Sequence, residues 1–342
     1  MSQHRPESPE HLAEILQELA AAHRPIRLGG NFSKNRLGGP SEGEVVSTAT
    51  MTRVLCYDPR DLTISVEAGM PFADLERTLA EHRQMLPLDP GWGAQSTVGG
   101  VVAANLSGPR RRQYGTARDM IIGMTFATLE GKLVSSGGMV VKNVAGLDMG
   151  KLMVGSFGTL AAIATVNFKV FPEPPGSRTF VREFASIELA FAERDSILRG
   201  VLQPAAIDIV NWPDRVRLLV RATGNAAVLD RWSRDMAGCA VAEGGEEQAI
   251  WDAVREFTPR FLAGHPHGAV VPIHTRLTEM PVVAARLGTP LIARAGSGTI
   301  YAHYAENAPE PKFGGGFEMM VNVKEMFDPE RLLNRGRLYG RI

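Results

Sequence analysis

Ile26-Arg27-Leu28-Gly29-Gly30-Asn31-Phe32-Ser33-Lys34 runs from a short apolar strand straight into a glycine pair, with a hydroxyl and an ammonium close behind. Consecutive N–H groups in such a turn form a concave anion nest, and Ser33 and Lys34 can add donors to phosphate oxygens. The spacing is neither that of a GxxxxGK[ST] loop nor that of a GxGxxG turn opening a helix. Taken alone, a tight bend with nothing bound explains two adjacent glycines as well.

The same texture returns further along the chain. Pro90-Gly91-Trp92-Gly93-Ala94-Gln95-Ser96-Thr97-Val98-Gly99-Gly100-Val101-Val102-Ala103-Ala104-Asn105 is dominated by small residues, over which backbone can approach a flat or extended ligand. A close-packed helix start accounts for Gly99 to Ala104. It accounts poorly for the polar Gln95, Ser96, Thr97 and Asn105. Gly115-Thr116-Ala117-Arg118-Asp119 and Gly155-Ser156-Phe157-Gly158-Thr159-Leu160 are two further pieces of the same kind.

Around these loops the periodicities give an α+β chain. Ser8-Pro9 caps a helix whose Leu12, Ile15, Leu16 and Leu19 form one apolar stripe. Strands at Val54–Tyr57 and Leu62–Val66 flank a Pro-containing turn, and Met120–Leu129 pairs with Lys132–Ser136. Pro172-Glu173-Pro174-Pro175 is the clearest linker. Beyond it, Thr179–Phe184, Ile187–Leu198, Ala206–Val210, Arg215–Val220, Ala226–Met236 and Ala240-Val241 read β-α-β-β-α-β, a ferredoxin-like order. A second round of helix, strand, helix, strand, strand runs from Gln248 to His303.

Composition narrows the class. The 342 residues carry 37 Lys+Arg against 37 Asp+Glu, which argues against a protein whose main ligand is nucleic acid. Two cysteines, Cys56 and Cys239, can build neither a disulfide framework nor a Cys-rich zinc or iron–sulfur site. The opening MSQHRPESPEH has no apolar h-region, and no apolar run reaches the roughly 18 residues of a membrane span. The expectation is a cytoplasmic protein, reaching a membrane only through partner subunits.

In order and content these segments resemble the FAD-binding domain of the vanillyl-alcohol-oxidase/PCMH flavoprotein family. The likeness rests on the strand–Gly-Gly–Ser-Lys loop, DLTISVEAGM, STVGGVVAANLSGPRRRQYGTARDMIIG, KNVAGLDMGKLMVGSFGTLAAIATVNFKVFP and the C-terminal FDPERLLNRGRLYG. Within the family it is most similar to the FAD-binding subunits of glycolate oxidases. The resemblance implies a PCMH-type FAD domain over residues 1–173, a smaller ferredoxin-like cap over 174–311, and a segment 312–342 returning to the FAD domain.

It also implies residue roles. Gly29, Gly30, Asn31, Phe32, Ser33 and Lys34 would cradle the pyrophosphate. Thr97, Gly99, Gly100 and Asn105 would line the phosphates and the inner edge of the flavin. Gly115, Arg118 and Asp119 would lie near the ribityl and adenosine portion, and Gly158 and Leu160 to Ile163 would present backbone. Asn334 would reach back from the C-terminus, and Lys142-Asn143, next to Gly146 and Asp148, would help shape the pocket. Two departures stand out. No His occupies residues 29–35 and Cys56 lies outside the flavin loops, so FAD is expected without a covalent link. Arg335 stands where the family commonly has Pro.

For chemistry, a 2-hydroxy acid needs a cation for its carboxylate and a base for its hydroxyl proton. Arg294, beside a tight turn, and His303 are the candidates for those roles. His265-Pro266-His267 with His274 invites a metal reading, but no carboxylate-rich motif accompanies it and no metal is expected. Arg110-Arg111-Arg112 reads as a solvated turn or as an anion-attracting patch. Two functions follow from the resemblance. One is an FAD oxidoreductase taking part in glycolate or D-lactate oxidation beside a larger flavin subunit and an iron–sulfur subunit. The other is a flavin-carrying structural or electron-transfer subunit without a substrate site of its own. A nucleotide-sugar or NAD protein is disfavoured by the missing GxGxxG.

Overall fold

The structure, a computed structural model, describes residues 3–139, 147–309, 314–340 and 342. Lys142, Asn143 and Gly146 lie outside them. The chain divides into two compact units. The first comprises Met1–Ser107, Thr116–Pro172 and Glu310–Ile342, and the second Gly108–Gly115 and Glu173–Pro309. The segment Gly108–Gly115, placed by sequence in the FAD domain, therefore packs with the second unit. Arg112 explains why: its Nη1 donates to the Gly296 carbonyl at 3.0 Å and its Nη2 to Gln203 Oε1 at 2.5 Å.

The first unit holds strands β1 (Gln3–His4), β2 (Ile26–Gly29), β3 (Glu44–Ser47), β4 (Val54–Asp58), β5 (Thr63–Glu67), β6 (Gln84–Met85), β7 (Ile121–Ala127), β8 (Leu133–Gly137), β9 (Ala162–Lys169) and β10 (Phe171–Pro172). A parallel sheet runs β1-β3-β2, and a five-stranded antiparallel sheet runs β4-β5-β9-β7-β8. The helix Pro9–Ala21 begins as its sequence dictates, the Ser8 side chain accepting from the His11 N–H with Pro at the first position. Its stripe of Leu12, Ile15, Leu16 and Leu19 packs into a cluster that includes Ile26 and Val46 of one sheet and Ala127, Ala162 and Ala164 of the other. Alanines on the strands let the helix come close. Each of its fully buried leucines contributes about 1.5–3 kcal/mol.

The chain end returns to this unit. Ile26 N–H donates to Leu332 O and Asn334 N–H to Ile26 O, both at 2.8 Å, so the tail lies along β2 as a short parallel bridge. Beneath it the buried Lys324 Nζ donates to Thr159 O at 2.7 Å, Asp328 Oδ2 at 2.5 Å and Leu333 O at 3.0 Å. Burial pushes the Lys324 ammonium below its usual pKa, and Asp328 pulls it partly back.

The second unit is one sheet of seven strands: β11 (Ser177–Phe184), β12 (Ala206–Val210), β13 (Val216–Thr223), β14 (Ala240–Ala242), β15 (Ala269–His274), β16 (Leu291–Arg294) and β17 (Thr299–Tyr304). The order is β14-β11-β13-β12-β16-β17-β15, with every pair antiparallel. Its first four strands, with the helices Ile187–Arg199 and Ala226–Asp235, have the ferredoxin-like arrangement, and β16, β17 and β15 extend that sheet. Strand alternation sorts the faces. Ile207, Ile209, Leu218 and Val220 meet Phe191, Trp232 and Met280, while Ala206, Val210, Leu219 and Ile292 meet Trp251 and Val254 of the helix Gly244–Gly264.

Candidate functional site

An open cavity lies in the first unit where β2 ends. The chain leaves the strand at Gly29, turns through Gly30 to Lys34, and meets the N-terminus of the helix Val98–Ala103 and the turn at Phe157-Gly158. Twelve of the residues named from sequence line this cavity: Gly29, Gly30, Asn31, Phe32, Ser33, Lys34, Thr97, Gly99, Gly100, Gly158, Ala161 and Ile163. Among the described residues the wall carries two cations, Lys34 and Arg337, and no carboxylate.

Packing explains the small residues. A Cβ on Gly30 would stand 2.3 Å from Thr97 Oγ1, and one on Gly99 would stand 2.8 Å from Ala68 Cβ. Those glycines bring two loops and a helix into contact. Gly100 differs, since a Cβ there would meet only Thr97 Oγ1 at 3.1 Å and Lys34 Nζ at 3.9 Å. Its bare Cα therefore fronts the open space beside the ammonium. Thr97 caps the helix, its Oγ1 accepting from the Gly100 N–H at 3.3 Å.

Lys34 is buried, and its Nζ donates to Ser96 Oγ at 2.7 Å and Ser33 Oγ at 3.1 Å. Ser96 passes its own proton to Gly91 O at 2.8 Å. Two hydroxyls and the Trp92 ring face, 5.8 Å away at its centre, stand close to this charge. Backbone N–H groups, an ammonium, a guanidinium and glycine-smooth walls are what a long dianionic dinucleotide requires. The residues present fit FAD.

The remaining sequence candidates are placed elsewhere. Asn334 is buried behind the wall, where its amide joins Leu28 to Phe157 and Gly158. Asn105 is exposed at φ +49°, stopping the helix that precedes it. Arg118 donates to Lys151 O at 3.1 Å. Asp119 closes a capping box with Thr116, whose N–H and hydroxyl hold its carboxyl below the usual range. Leu160 is buried outside the wall, and Gly115, at φ +90°, belongs to the second unit.

Arg294 and His303 are not open to a substrate. Arg294, buried on β16, is ion-paired with the buried Asp208 of β12. His303 is fully buried on β17 between the ring edges of Phe257 and Phe261. Its Nδ1 donates to Pro290 O at 3.2 Å, which leaves Nε2 to accept from Thr258 Oγ1 at 2.8 Å. Burial lowers its pKa from 6.5 to about 4, so the imidazole is neutral and its proton is committed. A polar residue alternating with apolar ones on a strand reads as a site residue in sequence; here a second strand and a helix seal it.

His265 and His274 are engaged locally. His265 stacks on Phe261 at 4.3 Å between ring centroids, and His274 Nδ1 lies 3.3 Å from Thr299 Oγ1. Among the described residues no three His, Cys, Asp or Glu come together as a metal site.

Arg337 is a charged wall residue that sequence reasoning missed. Its Nη1 donates to Asn35 O at 3.0 Å and Gly39 O at 2.6 Å, and its Nη2 to Asn35 Oδ1 at 2.7 Å. Burial, with Arg27 nearby, lowers its pKa to about 10. Only its position three residues beyond Asn334 in the returning tail could have flagged it.

Comparisons with known proteins agree with this geometry. The FAD binding domain family model matches residues 4–137. Glycolate oxidase subunit GlcE of Escherichia coli (strain K12) is 35% identical over 248 residues, 72% of this chain and 67% of that protein. Glycolate oxidase subunit GlcD of Bacillus subtilis (strain 168) is 29% identical over 211 residues, covering 61% of this chain and 45% of its own length. The mitochondrial D-lactate dehydrogenase [cytochrome] 1 of Saccharomyces cerevisiae is 30% identical over 213 residues, 60% of this chain and 36% of that one. The chain thus spans less than half the length of the last two. In fold, an alkyldihydroxyacetonephosphate synthase structure aligns with a TM-score of 0.70 at 19% identity, over 96% of this chain and 75% of the other.

Proposed function

Because the chain belongs to the family of FAD-binding flavoproteins that includes glycolate oxidase subunit GlcE, we propose that it is an FAD-dependent oxidoreductase subunit acting in the oxidation of a small 2-hydroxy acid, glycolate or D-lactate. The observation that carries this reading is the cavity itself, where a buried lysine, two glycine turns and a capped helix start converge, with no carboxylate on the wall among the described residues.

The turn Gly29 to Lys34 binds the diphosphate in this reading, with Lys34 aimed by Ser33 and Ser96. Gly99 and Gly100 let the cofactor approach the helix start, and Thr97 fixes that helix. Gly158 and Ile163 form part of the opposite backbone wall, and Asn334 positions both walls from behind. When bound, the flavin supplies hydride acceptance and release of electrons to an acceptor. Among the described residues no His or Cys lines the cavity, which supports FAD held without a covalent link.

The relatives' names include subunits, and we infer that this chain too works within a multi-subunit assembly, with a larger flavin subunit and an iron–sulfur subunit as partners. Its two cysteines cannot supply a four-Cys cluster, so electrons leave through another polypeptide or a diffusible acceptor. No described helix is long and apolar enough to cross a membrane, and attachment to one is assigned to partners. One observation favours a flavin-carrying subunit without its own substrate site: Arg294 and His303 are spent on Asp208, Thr258 and Pro290.

Turnover of glycolate and D-lactate with an artificial acceptor tests the proposal, first with the chain alone and then with its partner subunits. The reading predicts little flavin reduction alone and turnover in the assembly. Rapid stoichiometric bleaching in the isolated chain would exclude the flavin-carrier alternative. An assembly inert toward both acids would overturn the proposed oxidation.

A further inference from the structure

The geometry points to Arg337 as a phosphate-binding residue supplied by the returning tail, its Nε–Nη2 edge taking two oxygens of a diphosphate while Arg27 adds charge. The inference rests on the flavin reading of the cavity and assigns a group toward that cofactor.

A guanidinium has five N–H bonds on two usable edges. In Arg337 the end-on edge is spent, because both Nη1 protons go to the Asn35 and Gly39 carbonyls and one Nη2 proton goes to Asn35 Oδ1. The Nε–H is buried and, among the described residues, has no partner. With the remaining Nη2 proton it forms the side-on edge, which meets phosphate oxygens bidentately. The side chain is only 4% exposed, and it lines the cavity that Lys34 also lines.

The surroundings leave this charge uncompensated. No carboxylate pairs with Arg337 among the described residues, and its nearest charge influence is a second cation, Arg27. Arg27 stacks its guanidinium 5.0 Å from the ring centre of Phe32, a wall residue, and among the described residues its own Nε is buried without a partner. A buried guanidinium with an unmet donor and a second cation adding to the local positive charge is an unfavourable arrangement until an anion completes it. A diphosphate brings both the charge and the acceptor oxygens.

The test compares wild-type protein, Arg337→Lys and Arg337→Met, freed of flavin, for binding FAD, ADP and riboflavin by fluorescence titration. FAD and ADP carry the diphosphate; riboflavin carries only the ring and ribityl chain. Arg337→Met is expected to weaken FAD and ADP about 10- to 100-fold, the value of a charge-assisted pair, and to leave riboflavin within about 3-fold. Arg337→Lys, which keeps the cation and loses the fork, should fall between. Equal weakening of all three ligands in either variant would make Arg337 a structural tie and overturn the inference, as would unchanged FAD affinity. Where Arg337→Met does not fold, the ratio of FAD to riboflavin affinity in Arg337→Lys decides alone. Wild-type protein that binds none of the three would overturn the flavin reading itself, and the inference with it.

Discussion

Asn334 grips Leu28 by both ends of its amide: Oδ1 accepts from the Leu28 N–H at 2.9 Å and Nδ2 donates to the Leu28 carbonyl at 3.0 Å. The same Nδ2 reaches Phe157 O at 2.7 Å. One buried side chain from the tail thus fixes the end of β2 and the turn at Phe157-Gly158, two walls of the cavity. Replacing it by Ala leaves several buried backbone groups unmet. Asn334→Ala is expected to lose about 3 kcal/mol in urea unfolding of the flavin-free protein and to bind FAD more weakly. An unchanged midpoint would mean the tail is not what holds these loops.

Gly30 and Gly100 should respond differently to the same substitution. Gly30→Ala drives a methyl into Thr97 and is expected to cost about 1–3 kcal/mol of stability along with flavin affinity. Gly100→Ala meets only the Thr97 hydroxyl, at 3.1 Å, which must give by a few tenths of an ångström, and it improves helix propensity. It should keep its melting temperature and lose flavin affinity, because its methyl projects beside Lys34. Equal flavin affinity in Gly100→Ala and wild type would show that this face of the cavity holds no cofactor.

His303 makes the second unit acid-sensitive. Its folded pKa of about 4 lies below the unfolded value of 6.5. As the pH falls through that window the unfolded chain gains a proton that the folded chain refuses. The stability present above pH 6.5 is therefore lost progressively down to about pH 4, by about 3 kcal/mol in full. His303→Gln keeps groups that can serve Thr258 and Pro290 but does not titrate. Urea midpoints at pH 7 and pH 4.5 should converge in this variant; a gap as wide as in wild type would assign the acid sensitivity to other groups.

Much of the cavity is legible in the sequence because glycine turns announce themselves locally. Gly29-Gly30, Gly99-Gly100 and Gly158 each bend or bare the backbone at a point that neighbouring residues define. Residues whose role depends on distant partners are not legible. Arg337 meets Asn35 across 302 positions, and nothing near either residue marks the pairing. Gly108–Gly115 joins the second unit because Arg112 finds Gly296, a contact 184 residues away. The engagement of Arg294 and His303 is hidden from the sequence for the same reason. Their chemistry was visible, but the Asp208 and Thr258 that consume it lie on other elements. The β-α-β-β-α-β order of the second unit, by contrast, follows from short-range periodicity, and the observed strand order β14-β11-β13-β12 is the one that pattern implies.

Attachment of the cofactor has its own test. With no His or Cys on the cavity wall among the described residues, acid precipitation of the holoprotein should release all of the yellow colour to the supernatant. Colour kept in the pellet after washing would require a covalent link to a residue outside this wall.

The absorption spectrum of the purified chain after incubation with FAD and removal of excess ligand tests the central claim most directly. The account predicts the two visible flavin bands at one FAD per chain, weakened in Gly100→Ala and Arg337→Met. A colourless protein that stays colourless under these conditions, while folded by circular dichroism, would contradict it.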